Sequence, residues 1–327
     1  MIHRKIFWYL CFVMFYSCKN KPEINLSMDP GLSEISEMIT RYPINDSLYY
    51  LRAEWNYQQN YFKEAITDLL YAIKLDSLQP RYHHLLADAL LDHNQSYEAL
   101  ARMKEAVRLF PSRISTLLKL AEFQNILKEY DESIKTCLRV LDIDPLYAEA
   151  YLMVGINYRD LKDTVNAILS LQKATAYDDK LSDGWILQAR LNSMKNNAYA
   201  EKCLSNAYKI DSNSITTLHA MADFYQDQQP LKSLHYYEKM VSLDPIYLEA
   251  IINAGIIYFS LDSFTKALEH FNILCERDPA NSLFYYHRGT VKEAMNNKAG
   301  ARSDYKMAVN LEPKNEEYLS ALKLLDK

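Results

Sequence analysis

The chain of 327 residues has only six glycines, and it contains no glycine-rich phosphate loop, no HExxH and no GxSxG. Those absences remove the usual nucleotide cradle, the zinc-protease helix and the hydrolase nucleophile turn. No stretch alternates apolar and polar residues for long, so no strand is expected. There is no surplus of base either: 37 Lys and Arg stand against 42 Asp and Glu, a formal net charge of -5. Nucleic-acid binding rests on Lys and Arg facing phosphates, so that class is disfavoured, an RNA-binding helical array included. The five cysteines show no CxxC or CxxH spacing, which speaks against a metal knuckle. His83 and His84 are the only histidine cluster, and neighbours on a helix diverge by about 100°. They do not converge on one metal; His83 reads as semi-buried packing, and neither metal nor cofactor is expected.

What the chain does have is a period. "LDIDPLYAEAYLMVGINYRD" from Leu141 and "VSLDPIYLEAIINAGIIYFS" from Val241 share Asp, Pro, Tyr, Glu, Ala, Gly and Tyr in register. Steps of 34 run through Pro43, Ser77, Pro111, Pro145 and Asp179, two steps of 33 lead through Ser212 to Pro245, and Pro279 and Pro313 follow. Ten residues after each mark stand Ala53, Ala87, Ala121, Gly155, Ala189, Ala222, Gly255 and Gly289. A second small column holds Ala65, Ala99, Ser133, Ala167, Ala200, Ser233, Ala267 and Ala301.

Between marks lie two amphipathic segments of about three turns each. Neither buries its apolar face alone, so neighbours must stack. Helices approach closely only where one presents a side chain no larger than methyl, and a bulky residue there would overpack the contact by about 1–3 kcal/mol. The proline, usually after Asp, ends one unit and opens the next.

These residues resemble the tetratricopeptide repeat. Small residues at repeat positions 8 and 20, aromatics such as Phe62, Tyr130 and Phe264 at position 17, and proline at position 32 carry the likeness. Repeat one, "DSLYYLRAEWNYQQNYFKEAITDLLYAIKLDS", follows the pattern over its length. The resemblance implies an all-α, right-handed superhelical solenoid of about eight helix-turn-helix repeats, at 46–79, 80–113, 114–147, 148–181, 182–214, 215–247, 248–281 and 282–315. A half-repeat helix over 31–45 and a capping helix over 316–327 complete it. The fifth and sixth units are each one residue short, near "MKNNAYA" and "QDQQPLKS".

The amino terminus reads differently. "MIHRK" is a basic head and "IFWYLCFVMFYS" an apolar run of twelve, too short to span a bilayer and suited to a signal segment. Ser17 and Cys18 follow, which resembles a bacterial lipoprotein signal over 1–17, with Cys18 lipidated and 18–30 a tether. Lys19 after the cysteine implies the outer membrane by the same resemblance, facing the periplasm. Cys137, Cys203 and Cys275 then remain, in separate repeats; they are expected to be buried free thiols.

Function is expected on the face that the first helix of each repeat presents. The resemblance places partner-binding side chains at Tyr50, Glu54, Tyr57, His84, Asp88, Leu118, Glu122, Asn125, Arg159, Arg190, Asp223, Ile252, Ile256, Phe259 and Tyr286. Position 5 also includes Leu152, Ile186 and His219. Glu54, Asp88 and Glu122 form an acidic series, which implies a basic partner segment, and the later repeats are more apolar. No lysine occupies position 5, so the clamp with which some family members hold a terminal carboxylate is absent. The expectation is a non-catalytic, lipid-anchored adaptor for a peptide or protein, in company such as envelope assembly, secretion or cell-wall enzyme recruitment. A self-associating structural element is the alternative, and carbohydrate capture by the 26 tyrosines a weaker one.

Overall fold

The computed structural model describes residues 30–193 and 197–325, so Cys18, its signal and its tether lie outside the described residues. All regular structure among those residues is helical. The described residues fall into two compact units, one up to residue 111 and one from residue 112. The first holds α1 (Pro30–Arg41), α2 (Asp46–Gln58), α3 (Phe62–Leu75), α4 (Pro80–Asp92) and α5 (Ser96–Leu109). The second opens with α6 (Ile114–Ile126), α7 (Tyr130–Ile143), α8 (Ala148–Asp160), α9 (Thr164–Tyr177), α10 (Ser182–Asn192) and α11 (Asn197–Ile210). It continues with α12 (Ile215–Tyr225), α13 (Pro230–Leu243), α14 (Leu248–Ser260), α15 (Phe264–Arg277), α16 (Ser282–Ala294), α17 (Lys298–Leu311) and α18 (Glu316–Leu325). Within each unit successive helices pair, and each pair packs on the next.

Two kinds of turn recur among the described residues, and both have a local cause. Between repeats, the carboxylates of Asp76, Asp144, Asp178, Asp211, Asp244 and Asp278 each accept the backbone N–H two residues on. This Asx turn reverses the chain whether or not proline follows, which is why Ser77, Asp179 and Ser212 stand at the punctuating position without loss of the repeat. Four turns are latched again from the following helix. Tyr49, Tyr151 and Trp185 donate to the carbonyls of Pro43, Pro145 and Asp179, and the His83 Nε2 to that of Ser77 at 2.9 Å. His83 is thus buried, not semi-buried, at 2% exposure.

Within repeats, the first helix ends on a residue in the left-handed region: Asn60, Asn94, Lys128, Lys162, Asp262 and Asn296, with φ between 54° and 66°. The next N–H reaches back six residues' span to a helix carbonyl, as from Tyr61 to Asn56 and from Asp163 to Tyr158, in the Schellman arrangement. The first helices of the two short repeats, α10 and α12, have 11 residues, against 13 in α8 and α14; the turn after α10 includes residues 194–196, outside the described residues. In repeat six no left-handed residue closes the turn, and Gln229 N–H bonds to Tyr225 O instead.

The small columns sit where the helices of a pair touch. Ala53, Ala65, Ala87, Ala99, Ala121, Ala167, Ala189, Ala222, Ala267 and Ala301 are all buried. A methyl added at Gly155 would lie 2.7 Å from Leu171 Cγ, one at Gly289 2.7 Å from the Tyr305 ring, and one at Gly255 3.1 Å from Phe271. At these three positions the residue at position 24 (Leu171, Phe271 or Tyr305) fills the space a Cβ would need, although repeats one and six keep Ala53 and Ala222 with Leu69 and Tyr237 at position 24. Cys137, Cys203 and Cys275 are buried and free; burial pushes the Cys137 thiol up to about 12 and that of Cys275 up to about 11, far from the thiolate a reactive cysteine uses.

Candidate partner-binding face

On the first unit, α2 and α4 place the expected residues side by side and largely tie them together. Tyr50 stacks on Tyr82 with centroids 5.0 Å apart, and its hydroxyl donates to Glu54 at 3.1 Å. The Arg81 guanidinium covers the Tyr50 ring at 4.8 Å. Tyr57 donates to Asp92 Oδ2 at 2.6 Å, linking the two repeats; burial first, and that bond second, push its hydroxyl pKa up. His84 and Asp88 are half-buried on α4.

On the second unit, a cleft of about 370 Å³ opens between α6 and α8. Leu118, Leu152, Met153 and Ile156 line it, with Glu122, Tyr147, Glu149 and Lys119 around them. Glu122 and Glu149 are exposed. Neither has an ion-pair partner among the described residues. Asn125, expected to face a partner, is instead a link: its amide donates to Asn157 Oδ1 at 3.0 Å and to Asp160 at 3.5 Å. Behind it Asn157 donates to Ser133 Oγ, which donates to Ala121 O. Arg159 pairs with Asp160 at 2.8 Å.

A second cleft of about 280 Å³ lies between α10 and α12, where Arg190, Asp223, Phe224 and Asp227 meet. Beyond it His219 joins two repeats. Its Nδ1 lies 3.1 Å from Asp223 Oδ2 and its Nε2 3.0 Å from Glu249 Oε1 on α14. Asp223 Oδ1 also accepts from Tyr237, and Glu249 Oε2 from Tyr247. The bond to Asp223 raises the His219 pKa, against burial, and Glu249 adds to the rise. Both ring nitrogens donate when the imidazole is charged.

The apolar group on repeat seven is only partly open. Ile252, Ile256 and Phe259 are half-buried and pack against the core of repeats five to eight. Ile186, at the same position as Ile252, is buried at 3% exposure, so position 5 is not uniformly a surface position. Tyr286 donates to Glu317 at 2.9 Å and packs on Tyr318, which joins repeat eight to α18. Glu149, at position 2, completes the α6–α8 cleft and was not among the expected site residues, although it is the glutamate that the two matching stretches share. Among the described residues no group of His, Cys, Asp and Glu is placed to hold a metal ion, and no helix is long and apolar enough to cross a membrane.

Residues 84–148 match the sequence profile of the tetratricopeptide repeat. The fold is that of a tetratricopeptide-repeat solenoid. Human tetratricopeptide repeat protein 6 is 24% identical over 247 residues, which cover 75% of this chain and 41% of that protein. The chain therefore spans about two fifths of that relative. Among solved structures, the APC/C hetero-tetramer Cut9–Hcn1 aligns over 90% of this chain and 58% of its own, with a TM-score of 0.53 at 12% identity. YrrB, described as a repeat protein of this kind with an unusual peptide-binding site, aligns over 57% of this chain and 97% of its own, with a TM-score of 0.50 at 17% identity. At these identities the likeness is one of fold.

Proposed function

We propose that this tetratricopeptide repeat protein is a non-catalytic adaptor that binds a peptide or protein segment on the face of its first helices. The observation that carries the reading is the α6–α8 cleft, where an apolar floor lies between two exposed, unpaired carboxylates. Open apolar surface bordered by charge marks partner sites. A segment that seats an apolar side chain on Leu118, Leu152 and Ile156, and turns a lysine or arginine to Glu122 and Glu149, fits its shape and sign. Selection of peptides from a random library on the full chain tests this. Basic-apolar sequences whose binding is lost in Glu122→Lys/Glu149→Lys are expected; selected peptides indifferent to that reversal would contradict the reading.

The same proposal puts the adaptor on the outer membrane, facing the periplasm, anchored through Cys18. The support is the basic head, the short apolar run and the Ser17–Cys18 junction followed by Lys19. Acyl chains on one cysteine give lasting attachment, at about 0.8 kcal/mol per buried methylene. Cys18→Ser is expected to lose fatty-acid labelling and leave the membrane fraction; retained labelling would refute the anchor. A self-associating element is the second reading, favoured by Val165 and Leu169, 67% and 52% exposed one turn apart on α9. A mass that rises with concentration, and falls in Val165→Glu, would favour it.

A further inference from the structure

Repeats one and eight carry the same buried ion pair, and they differ beside it. Arg52 grips Asp68 through Nε and Nη2, at 2.8 and 2.7 Å. Arg288 grips Asp304 in the same way, at 3.0 and 2.7 Å. In both, the remaining Nη1 turns to a helix that precedes the repeat, to Ser36 Oγ on α1 and to Asn272 Oδ1 on α15. At position 11, repeat eight has Lys292, whose Nζ lies 2.7 Å from Asp304 Oδ2. Repeat one has Asn56 there, and its amide reaches Asp68 at only 3.5 Å.

The substitution leaves space and unmet polarity. A cleft of about 260 Å³ lies between α1, α2 and α3, lined by Leu32, Ser36, Arg52, Asn56, Glu64 and Asp68, with Thr67 at its edge. Asn56 is 3% exposed, and its Oδ1 has no hydrogen-bond partner. An acceptor buried in that state has lost its water without a hydrogen bond in return. The charge is also unbalanced. Glu64 lines the cleft without an ion-pair partner among the described residues, whereas the corresponding position of repeat eight is Gly300. The cleft lining thus holds one cation and two carboxylates, while in repeat eight two cations meet one carboxylate.

We propose that the cleft between α1, α2 and α3 binds a primary ammonium group, at the place that Lys292 fills from within in repeat eight. Asn56 Oδ1, Asp68 and Glu64 supply acceptors for its three N–H donors, and Leu32 flanks its alkyl chain. The ammonium belongs to a lysine side chain of a partner or to a small free amine. The site is separate from the first-helix face of the proposed function and stands or falls without it.

Thermal melts of the full chain with n-butylammonium, and with n-butyltrimethylammonium at equal ionic strength, test the proposal. The first is expected to raise the midpoint saturably and the second, which has no N–H, to leave it unmoved. Asn56→Lys is expected to raise the midpoint by itself and to abolish the response to amine. Glu64→Gln, on the surface, should keep the fold and weaken the response several-fold. A larger shift with a capped lysine peptide than with butylammonium assigns the site to a partner's lysine, and an equal or smaller one to a free amine. Equal shifts from both cations, or an amine response that survives in Asn56→Lys, would overturn the proposal.

Discussion

Arg288 and Asp304 face each other across α16 and α17 through two parallel hydrogen bonds, and Lys292 adds a third to the same carboxylate. Asp304 is buried at 3% exposure, and both cations are mostly covered. Removing one partner of such a group leaves charge stranded in a poor solvent for it, at about 3–5 kcal/mol. Asp304→Ala is therefore expected to destabilise the second unit by that amount in denaturant unfolding. A loss under about 1 kcal/mol, the range of exposed pairs, would show that water reaches both cations.

Gly289 tests the small column. A Cβ there would meet Tyr305 Cδ1 and Cε1 at 2.7 Å, and the ring is held by a hydroxyl bond to Glu293 at 2.7 Å. Gly289→Ala should cost about 1–3 kcal/mol through overpacking, although alanine is the better helix former. The double change with Tyr305→Leu should recover part of the loss, as unfolding midpoints would report.

The turn inside repeat four offers a gain. Lys162 has φ 66°, where a side chain costs about 1–2 kcal/mol and glycine nothing. Lys162→Gly is expected to stabilise by about 0.5–1 kcal/mol, the relief of that cost less the greater freedom glycine loses on folding. An unchanged or lower unfolding free energy would refute the account of this turn.

His219 sets a pH dependence. Its pKa is raised by Asp223, against burial, and then by Glu249. Its contribution is fully present below the unfolded value of about 6.5 and lost as pH rises through the higher folded one. For Asp223 burial acts upward, but the bonds from His219 and then Tyr237 leave it lowered. Its contribution is present above about 3.9 and lost as pH falls through the lower folded value. The link between α12 and α14 should be strongest between about pH 4 and 6.5. The difference in stability between wild type and His219→Ala, followed against pH, should shrink above that window; a flat difference would exclude a charged clamp.

The period, the helix starts and the small columns could be read from sequence because close packing of two helices demands methyl-sized residues at fixed intervals, as at Ala87 and Gly155. The Asx turns were half visible: Asp recurs before the mark, but its bond to the N–H two residues on replaces what proline alone was expected to do. The site was less legible. Ile186 and Ile252 share a repeat position, yet only one is buried, because neighbouring repeats decide the depth. Asn125, Tyr57 and Tyr286 spend their polar atoms on the helix after next, 31 to 35 residues away, and no local pattern announces those bonds. Arg52–Asp68 and Arg288–Asp304 were missed for the same reason, since the pair occurs in two repeats of eight.

Site-specific photo-crosslinking in the native cell tests the central claim most directly, with the crosslinker placed at Ile156 in the α6–α8 cleft and, separately, at Leu169 on the outer helix α9. The account predicts one defined protein adduct from Ile156, diminished by Glu122→Lys/Glu149→Lys, and none in common from Leu169. Adducts confined to Leu169, or only to a second copy of the chain, would contradict it.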